Sequence, residues 1–285
     1  MTTGDSHIVS NRQHRLSDQV LANTVQDAPD QQVSLTDPDA RSMATSGKGT
    51  ATVGYNVQIA VDAEHHLIVA HEVINQGYDR HQLAPMALKA KQATGCTQVT
   101  ALADRGYFSG DQVLSCEGTG VAPIVPKVLT SSGTKRGLFA RQDFIYDAEH
   151  DHYTCPAGAE LTKIHRRADH TEDLDFYRHL SACFTCPLKS RCTPTKLRRV
   201  KRWVNEDVLD RMQDRLDRMP EAMGVRRQTV EHPFGTLKAW MGATHFLTRT
   251  LDKVRTEMSL HVLAYNLKRM ITIFGVGPLM DAIRT

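Results

Sequence analysis

The sequence predicts an α/β fold with strands of mixed direction, and three observations carry that prediction. Two β-branched runs, at 54–61 and 66–73, flank a short polar connection. A helix-period segment follows, and after it a second apolar run that ends in a carboxylate, Ala101-Leu-Ala-Asp104. Downstream, helix-period segments close the chain, so strands and helices alternate rather than separate into blocks. With 285 residues, 40% of them hydrophobic, the chain can bury one large core or two modest ones.

Residues 1–48 are polar, with turn-prone Asp37-Pro-Asp39 and Gly47-Lys-Gly49 near their end, and read as a linker or frayed start. Residues 49–128 form the first α/β part. Its opening runs, joined by Asp62-Ala-Glu-His65, make an antiparallel hairpin. Leu83, Met86, Ala87, Leu88 and Ala90 then recur at helical spacing, with Asp79 placed to cap the helix. A strand at 99–103, a helix at about 109–116 and a short strand at 122–125 continue the pattern. Periodicity is lost between Lys127 and Arg202, and residues 129–203 read as a Cys-rich, basic insertion. Residues 204–276 are helical: 204–219, about 226–240, and a long amphipathic stretch at 251–274 carrying Val254, Met258, Leu263, Leu267 and Ile271.

The net charge of +3 announces no overall basic field, so any nucleic-acid surface must be local. One local concentration exists: Lys189, Arg191, Lys196, Arg198, Arg199, Lys201 and Arg202, with Trp203 next. It reads either as a solvated face or as a phosphate-binding run. No stretch approaches the ~18 apolar residues that span a bilayer, and residues 1–30 lack a signal-peptide core, so the expected location is the cytoplasm. Six cysteines without a secretory signal are then free thiols or metal ligands. Cys183, Cys186 and Cys192, with Cys155 upstream, offer four thiolates in a segment of little apolar content, which a tetrahedral zinc would staple. Unligated thiols and a redox pair are the alternatives, and His152, His165, His170 or His179 could replace one thiolate. Cys96 and Cys116 read as small core residues.

Arg227, Glu231 and Lys238 stand at R-x3-E-x6-K spacing. Arg227 and Glu231 share one helix face, and Lys238, two turns further, returns to it. Asp104 and Glu231 could supply two of the carboxylates that a pair of hard cations, roughly 3.5–4 Å apart, needs for phosphodiester chemistry. The structural alternatives are a helix cap for Asp104 and a surface helix residue for Glu231.

Asp37-Pro-Asp-Ala-Arg41, Val53-Gly-Tyr-Asn-Val-Gln58, Ala103-Asp-Arg-Gly-Tyr107, Cys183-Phe-Thr-Cys-Pro-Leu-Lys189 and Val230-Glu-His-Pro-Phe-Gly-Thr-Leu-Lys238 follow one another in this order. Through them the chain resembles, from about Asp37 to Phe274, the DDE transposases of bacterial insertion sequences, which belong to the ribonuclease H-like superfamily. The resemblance implies a ribonuclease H-like mixed sheet flanked by helices, with the Cys-rich insertion between the second Asp and the Glu. It makes Asp104 the second catalytic Asp and Glu231 the catalytic Glu, both ligands of Mg²⁺ or Mn²⁺. It also places Arg227 and Lys238 on DNA, where Lys196, Arg198, Arg199, Lys201 and Arg202 could join them. Gly224 stands where the family's signature carries Tyr.

The family's first Asp lies on a strand before the hairpin, and no apolar strand ending in Asp is found within residues 1–50. His7-Ile-Val-Ser10 is too short and Val33-Ser-Leu35 is faint. Asp62, Asp37 and Asp39 read as turn residues. The chain is therefore expected to be an N-terminally truncated transposase catalytic domain, inactive for want of that Asp. The alternative is a non-catalytic DNA-binding or partner-binding remnant that interferes with full-length transposase. DNA at transposon ends is the expected partner, with homo-oligomers or mixed oligomers with full-length transposase, and no membrane. If residues 1–50 add no strand, the hairpin keeps an unpaired side and the chain is aggregation-prone.

Overall fold

The computed structural model describes residues 34–44, 51–128, 134–168 and 173–284. The discounted candidate at His7–Ser10, Val33 of the faint second one, and most of the polar start lie outside these residues, while Ser34 and Leu35 form no strand. In chain order the elements are β1 (Arg41–Ala44), β2 (Ala51–Gly54), β3 (Asn56–Val61), β4 (Ile68–Ile74), α1 (Leu83–Thr94), β5 (Val99–Leu102), α2 (Gly110–Cys116) and β6 (Val121–Ile124). There follow β7 (Ile145–Asp147), β8 (His152–Thr154), β9 (Glu160–Ala168), β10 (Asp173–Arg178), α3 (Leu180–Phe184), α4 (Lys189–Cys192) and β11 (Val200–Trp203). The chain closes with α5 (Glu206–Arg218), α6 (Ala222–Gly235), a π-helical turn (Thr236–Trp240), α7 (Leu251–Phe274) and α8 (Val276–Arg284). Two compact units result: residues 1–126 with 215–285, and residues 127–214.

In the first unit, β3 and β4 form the expected antiparallel hairpin, in register from Asn56 opposite Ile74 to Val61 opposite Ile68. Asp62 holds its turn, accepting from the backbone N–H groups of Glu64 (3.3 Å) and His65 (2.7 Å). That is the local hydrogen bonding that favours Asp in turns. β5 and β6 pair in parallel, Val99 opposite Val121 and Leu102 opposite Ile124, joined by the crossover helix α2 that a parallel pair requires. β1 pairs with β2, so among the described residues no ladder joins β3 to any strand but β4, or β5 to any strand but β6. Pro123 sits within β6 opposite Ala101, and its carbonyl accepts from Arg215 Nε at 3.3 Å.

Helix α7 spans the range its periodicity predicted. It buries Val254, Met258, Val262 and Tyr265 against Ile68, Val73 and Leu237. Asn266 clamps the hairpin, its Nδ2 donating to the Ile68 carbonyl (2.8 Å) and its Oδ1 accepting from the Ile68 N–H (2.9 Å). The start of α7 is capped from far upstream: Thr250 N–H donates to Asp37 (3.2 Å) and Leu251 N–H to Asp39 (2.9 Å). A second apolar stripe, Leu260, Leu263, Leu267, Ile271 and Phe274, stays exposed. The expected amphipathic face is thus only partly the buried one. The helix expected at 226–240 starts earlier, at Ala222, and gives way after Gly235 to the π turn, two residues past Pro233, which removes a backbone donor. Cys116 is fully buried, as read, and Cys96 is exposed.

The second unit contains what the sequence concealed, a five-stranded antiparallel sheet of order β11-β10-β9-β8-β7. It has a core of its own in Phe144, Tyr153, Leu161, Tyr177 and Val200. Three of its strands have only three or four residues and charged residues fall on both faces of β9, so the core is carried by a few large side chains rather than by an apolar run. Buried Asp175 is ion-paired to Lys163 (2.7 Å) and buried Glu206 to Arg141 (3.0 Å).

Candidate active site and nucleic-acid interface

Strand β5 delivers the first site residue. Ala103 N–H continues the ladder to the Ile124 carbonyl (3.1 Å), and the extended Asp104 then caps the single 3-10 turn Arg105–Tyr107, its Oδ1 accepting from Gly106 N–H at 2.8 Å. A side chain at Gly106 would meet Asp104 Oδ1 at 3.0 Å and Asp79 Oδ2 at 3.5 Å, so two carboxylates converge over a position that only glycine leaves open. Asp79 is not the helix cap read from the sequence, since Gln82 occupies that position. Its Oδ1 instead accepts from Asn56 Nδ2 and Gln58 Nε2, both at 2.7 Å. Gln58, 1% exposed, also donates to Asn56 Oδ1 (2.8 Å) and accepts from the Tyr107 hydroxyl. Burial, with Asp79 and Asp104 nearby, pushes the Tyr107 phenol up, so it stays a donor. Two of the sequence motifs, one ending in Gln58 and the other in Tyr107, thus meet through one hydrogen bond.

The other expected residues lie on α6 and the π turn. Arg226 reaches Asp104, with Nη2 to Oδ2 at 2.8 Å. Arg227, one position on, is exposed, as is Glu231, and among the described residues neither makes an ion pair. Lys238 is exposed in the π turn and lies over the Phe234 ring at 5.7 Å. His232 beside Glu231 bonds Tyr265 through Nδ1 (3.0 Å) and stacks on His66, and burial holds its pKa below the usual histidine value. Asn56, Gln58, Asp79, Tyr107 and Arg226 were not singled out from the sequence as site residues. Asn56 and Gln58 could have been found as amides inside the apolar strand β3, where an unpaired polar group is costly; Asp79, Tyr107 and Arg226 lie outside strands and carry no such signal.

Residues 24–267 match the family model described as a transposase DDE domain. The chain belongs to the DDE transposase family. No curated protein and no solved structure matches it. Membership of this family implies DNA as the partner and use of a divalent metal, and the mixed α/β elements are consistent with its ribonuclease H-like architecture. Asp104 Oδ1 accepts from Gly106 N–H and Oδ2 from Arg226, so a metal at this carboxylate would compete with the Arg226 guanidinium. Among the described residues, three ligand atoms come within 4.8 Å of one another only at Asp147, His150 and His152, in the β7–β8 turn, where Asp147 Oδ2 is 2.9 Å from His150 Nδ1. No helix among the described residues is long and apolar enough to cross a membrane.

In the second unit of the DDE domain, Cys155, Cys183, Cys186 and Cys192 line one cavity of about 200 Å³, with His179 and Arg198. Burial raises the Cys192 thiol, and the other three thiols add to the shift. The basic run divides. Arg202 lies 3.7 Å over Tyr146 and pairs with Asp210 (2.9 Å), Arg198 lies 4.8 Å over Phe144, and Lys201 lies 5.6 Å over Phe176. Lys196 and Arg199 are exposed, and among the described residues neither makes such a contact.

Proposed function

We propose that this chain engages DNA as a transposase domain and, by itself, does not cut it. The observation that carries this reading is the Arg226–Asp104 ion pair, which neutralises the one carboxylate that both the strand-end position and the family resemblance assign to chemistry. Glu231 alone cannot hold two cations, because two-metal sites need bridging carboxylates. The grip is assigned to Arg227 and Lys238 around Glu231, and to Lys196 and Arg199 in the second unit, all exposed and able to meet phosphate. Arg198, Lys201 and Arg202 contribute less, since each is stacked on an aromatic ring of its own unit.

The deciding experiment is a titration of Mn²⁺ or Mg²⁺ into the purified chain with a labelled duplex carrying transposon-end sequence, alongside Asp104→Ala and Glu231→Ala. Binding without nicking supports the reading. Metal-dependent nicking that both substitutions abolish overturns it. Zinc is the cofactor proposed for the second unit, held by Cys155, Cys183, Cys186 and Cys192. Its support is the shared cavity; no three of these thiols lie within 4.8 Å of one another, so binding would draw them together, and metal analysis finding no zinc in chain purified without chelator removes the proposal.

A second reading, association with another transposase copy, is favoured by the exposed stripe Leu260, Leu263, Leu267, Ile271 and Phe274 on α7. Such a stripe at helical spacing is the usual mark of a helix face awaiting a partner. Light scattering that gives a monomer for both the chain and its Leu263→Lys variant rejects it.

A further inference from the structure

Two hairpin turns share one sequence, Asp-Ala-Glu-His, at residues 62–65 between β3 and β4 and at residues 147–150 between β7 and β8. In both, the Asp accepts from the backbone N–H groups two and three residues on and meets the imidazole of the His. In both, the fifth residue has a positive φ, 58° at His66 and 48° at Asp151. That much is turn chemistry. The second turn departs from the first in two respects. Asp62 commits both carboxylate oxygens to backbone donors. Asp147 commits Oδ1 alone, to Glu149 N–H (2.9 Å) and His150 N–H (3.2 Å), and leaves Oδ2 to His150 Nδ1 at 2.9 Å. The sixth residue is Leu67 in the first turn and His152 in the second. His152 lies opposite Asp147 in the β7–β8 register, where opposite side chains share one face, and its ring centroid is 6.0 Å from that of His150.

One ligand atom from each of Asp147, His150 and His152 lies within 4.8 Å of the other two. From this convergence we propose that the β7–β8 turn binds one borderline divalent cation, Zn²⁺, Ni²⁺ or Co²⁺, through Asp147, His150 and His152. Two imidazoles and one carboxylate suit such ions, whereas Mg²⁺ takes oxygen ligands. The turn does not itself require His152, because the β3–β4 turn closes with leucine at that position. Nor does it require Asp147 Oδ2, which holds no backbone donor and is turned to the imidazole. Three protein ligands leave the remaining coordination positions to water. The consequence is local: β7 is the outermost strand of its sheet, three residues long and laddered to β8 alone. A cation bridging Asp147 to His152 pins the end of that strand. The site shares no residue with Asp104 and Glu231 or with the four-cysteine cavity, so it stands whether or not the chain cuts DNA or its thiols hold zinc.

The test is a titration of Ni²⁺ alone into the full chain, followed through its backbone amide resonances. Paramagnetic broadening is expected at residues 147–152, saturating at one equivalent for that turn, and much less at residues 62–66. His152→Leu gives the second turn the sixth residue of the first and should weaken Ni²⁺ binding there by about tenfold or more, a scale that even outer ligands command. His150→Ala should do the same from a position outside the β7–β8 ladder, so it carries the test if His152→Leu disturbs the strand pairing. Cys183→Ser should leave the broadening at this turn unchanged. No broadening at residues 147–152, equal broadening at both turns, or binding that survives His150→Ala overturns the proposal. So does broadening there that Cys183→Ser abolishes.

Discussion

The second unit pairs all five of its strands in one antiparallel sheet, whereas the six described strands of the first form three separate pairs. The stable core of the second unit is aromatic, with Tyr153 and Tyr177 edge to face at 5.1 Å and Leu161 beneath. The first unit instead relies on helices, on the Asn266 clamp and on a buried polar network around Gln58. The unit that carries the candidate site is thus the one whose strands, among the described residues, stay in separate pairs. Packing secures both regions, and the first adds a buried hydrogen-bond network around Gln58, so the two should fail differently.

Leu161→Ala gives the largest expected effect, about 2–5 kcal/mol, because a fully buried leucine is replaced by a cavity. Chemical denaturation should show the loss in the second unit, with amide protection in α7 unchanged. Gln58→Leu should cost about 1–3 kcal/mol for each group left unsatisfied, here Asp79 and the Tyr107 hydroxyl, and should lower protection in β3 and β5 alone. Arg226→Met should change stability by less than about 1 kcal/mol, since both partners are part-exposed. Its sharper readout is calorimetry, where Mn²⁺ affinity at Asp104 should rise; unchanged affinity would detach the ion pair from the metal question.

The smallest effect is a pH dependence. Burial raises the Glu72 carboxyl, but Lys89 and Arg255 outweigh it and hold it below the ordinary glutamate value. The contribution is therefore complete above the unfolded-state pKa and lost as pH falls through the lowered folded-state one. A Glu72→Gln variant should erase that acid-side part of the stability profile.

Much of the first unit was legible because its elements are periodic. The β3–β4 hairpin and α7 sit where alternation and helical spacing place them, and Asp104 ends its apolar strand as read. What stayed hidden depends on long-range geometry. Which of two adjacent arginines reaches Asp104 is decided by the rotation of α6, and the sequence, which assigned Arg227 to DNA, singled out no partner for Asp104. Asp79 reads locally as a cap, and only folding brings Asn56 and Gln58 to it. The basic run reads as one stripe, although Arg198, Arg202 and Lys201 stack on Phe144, Tyr146 and Phe176 from strands and loops far away in sequence. The sheet of the second unit escaped because charged residues such as Lys163 and Asp175 occupy its strands, and their pairing with each other is invisible without register.

Pro123 gives the molecule a direction of assembly. It deprives β6 of a donor, and the Arg215 guanidinium already occupies its carbonyl, so the outer rim of the β5–β6 pair is a poor template for another chain. Strands β3 and β5 contain no proline, so any edge-to-edge association during overexpression should begin on their side rather than at the proline-blocked rim.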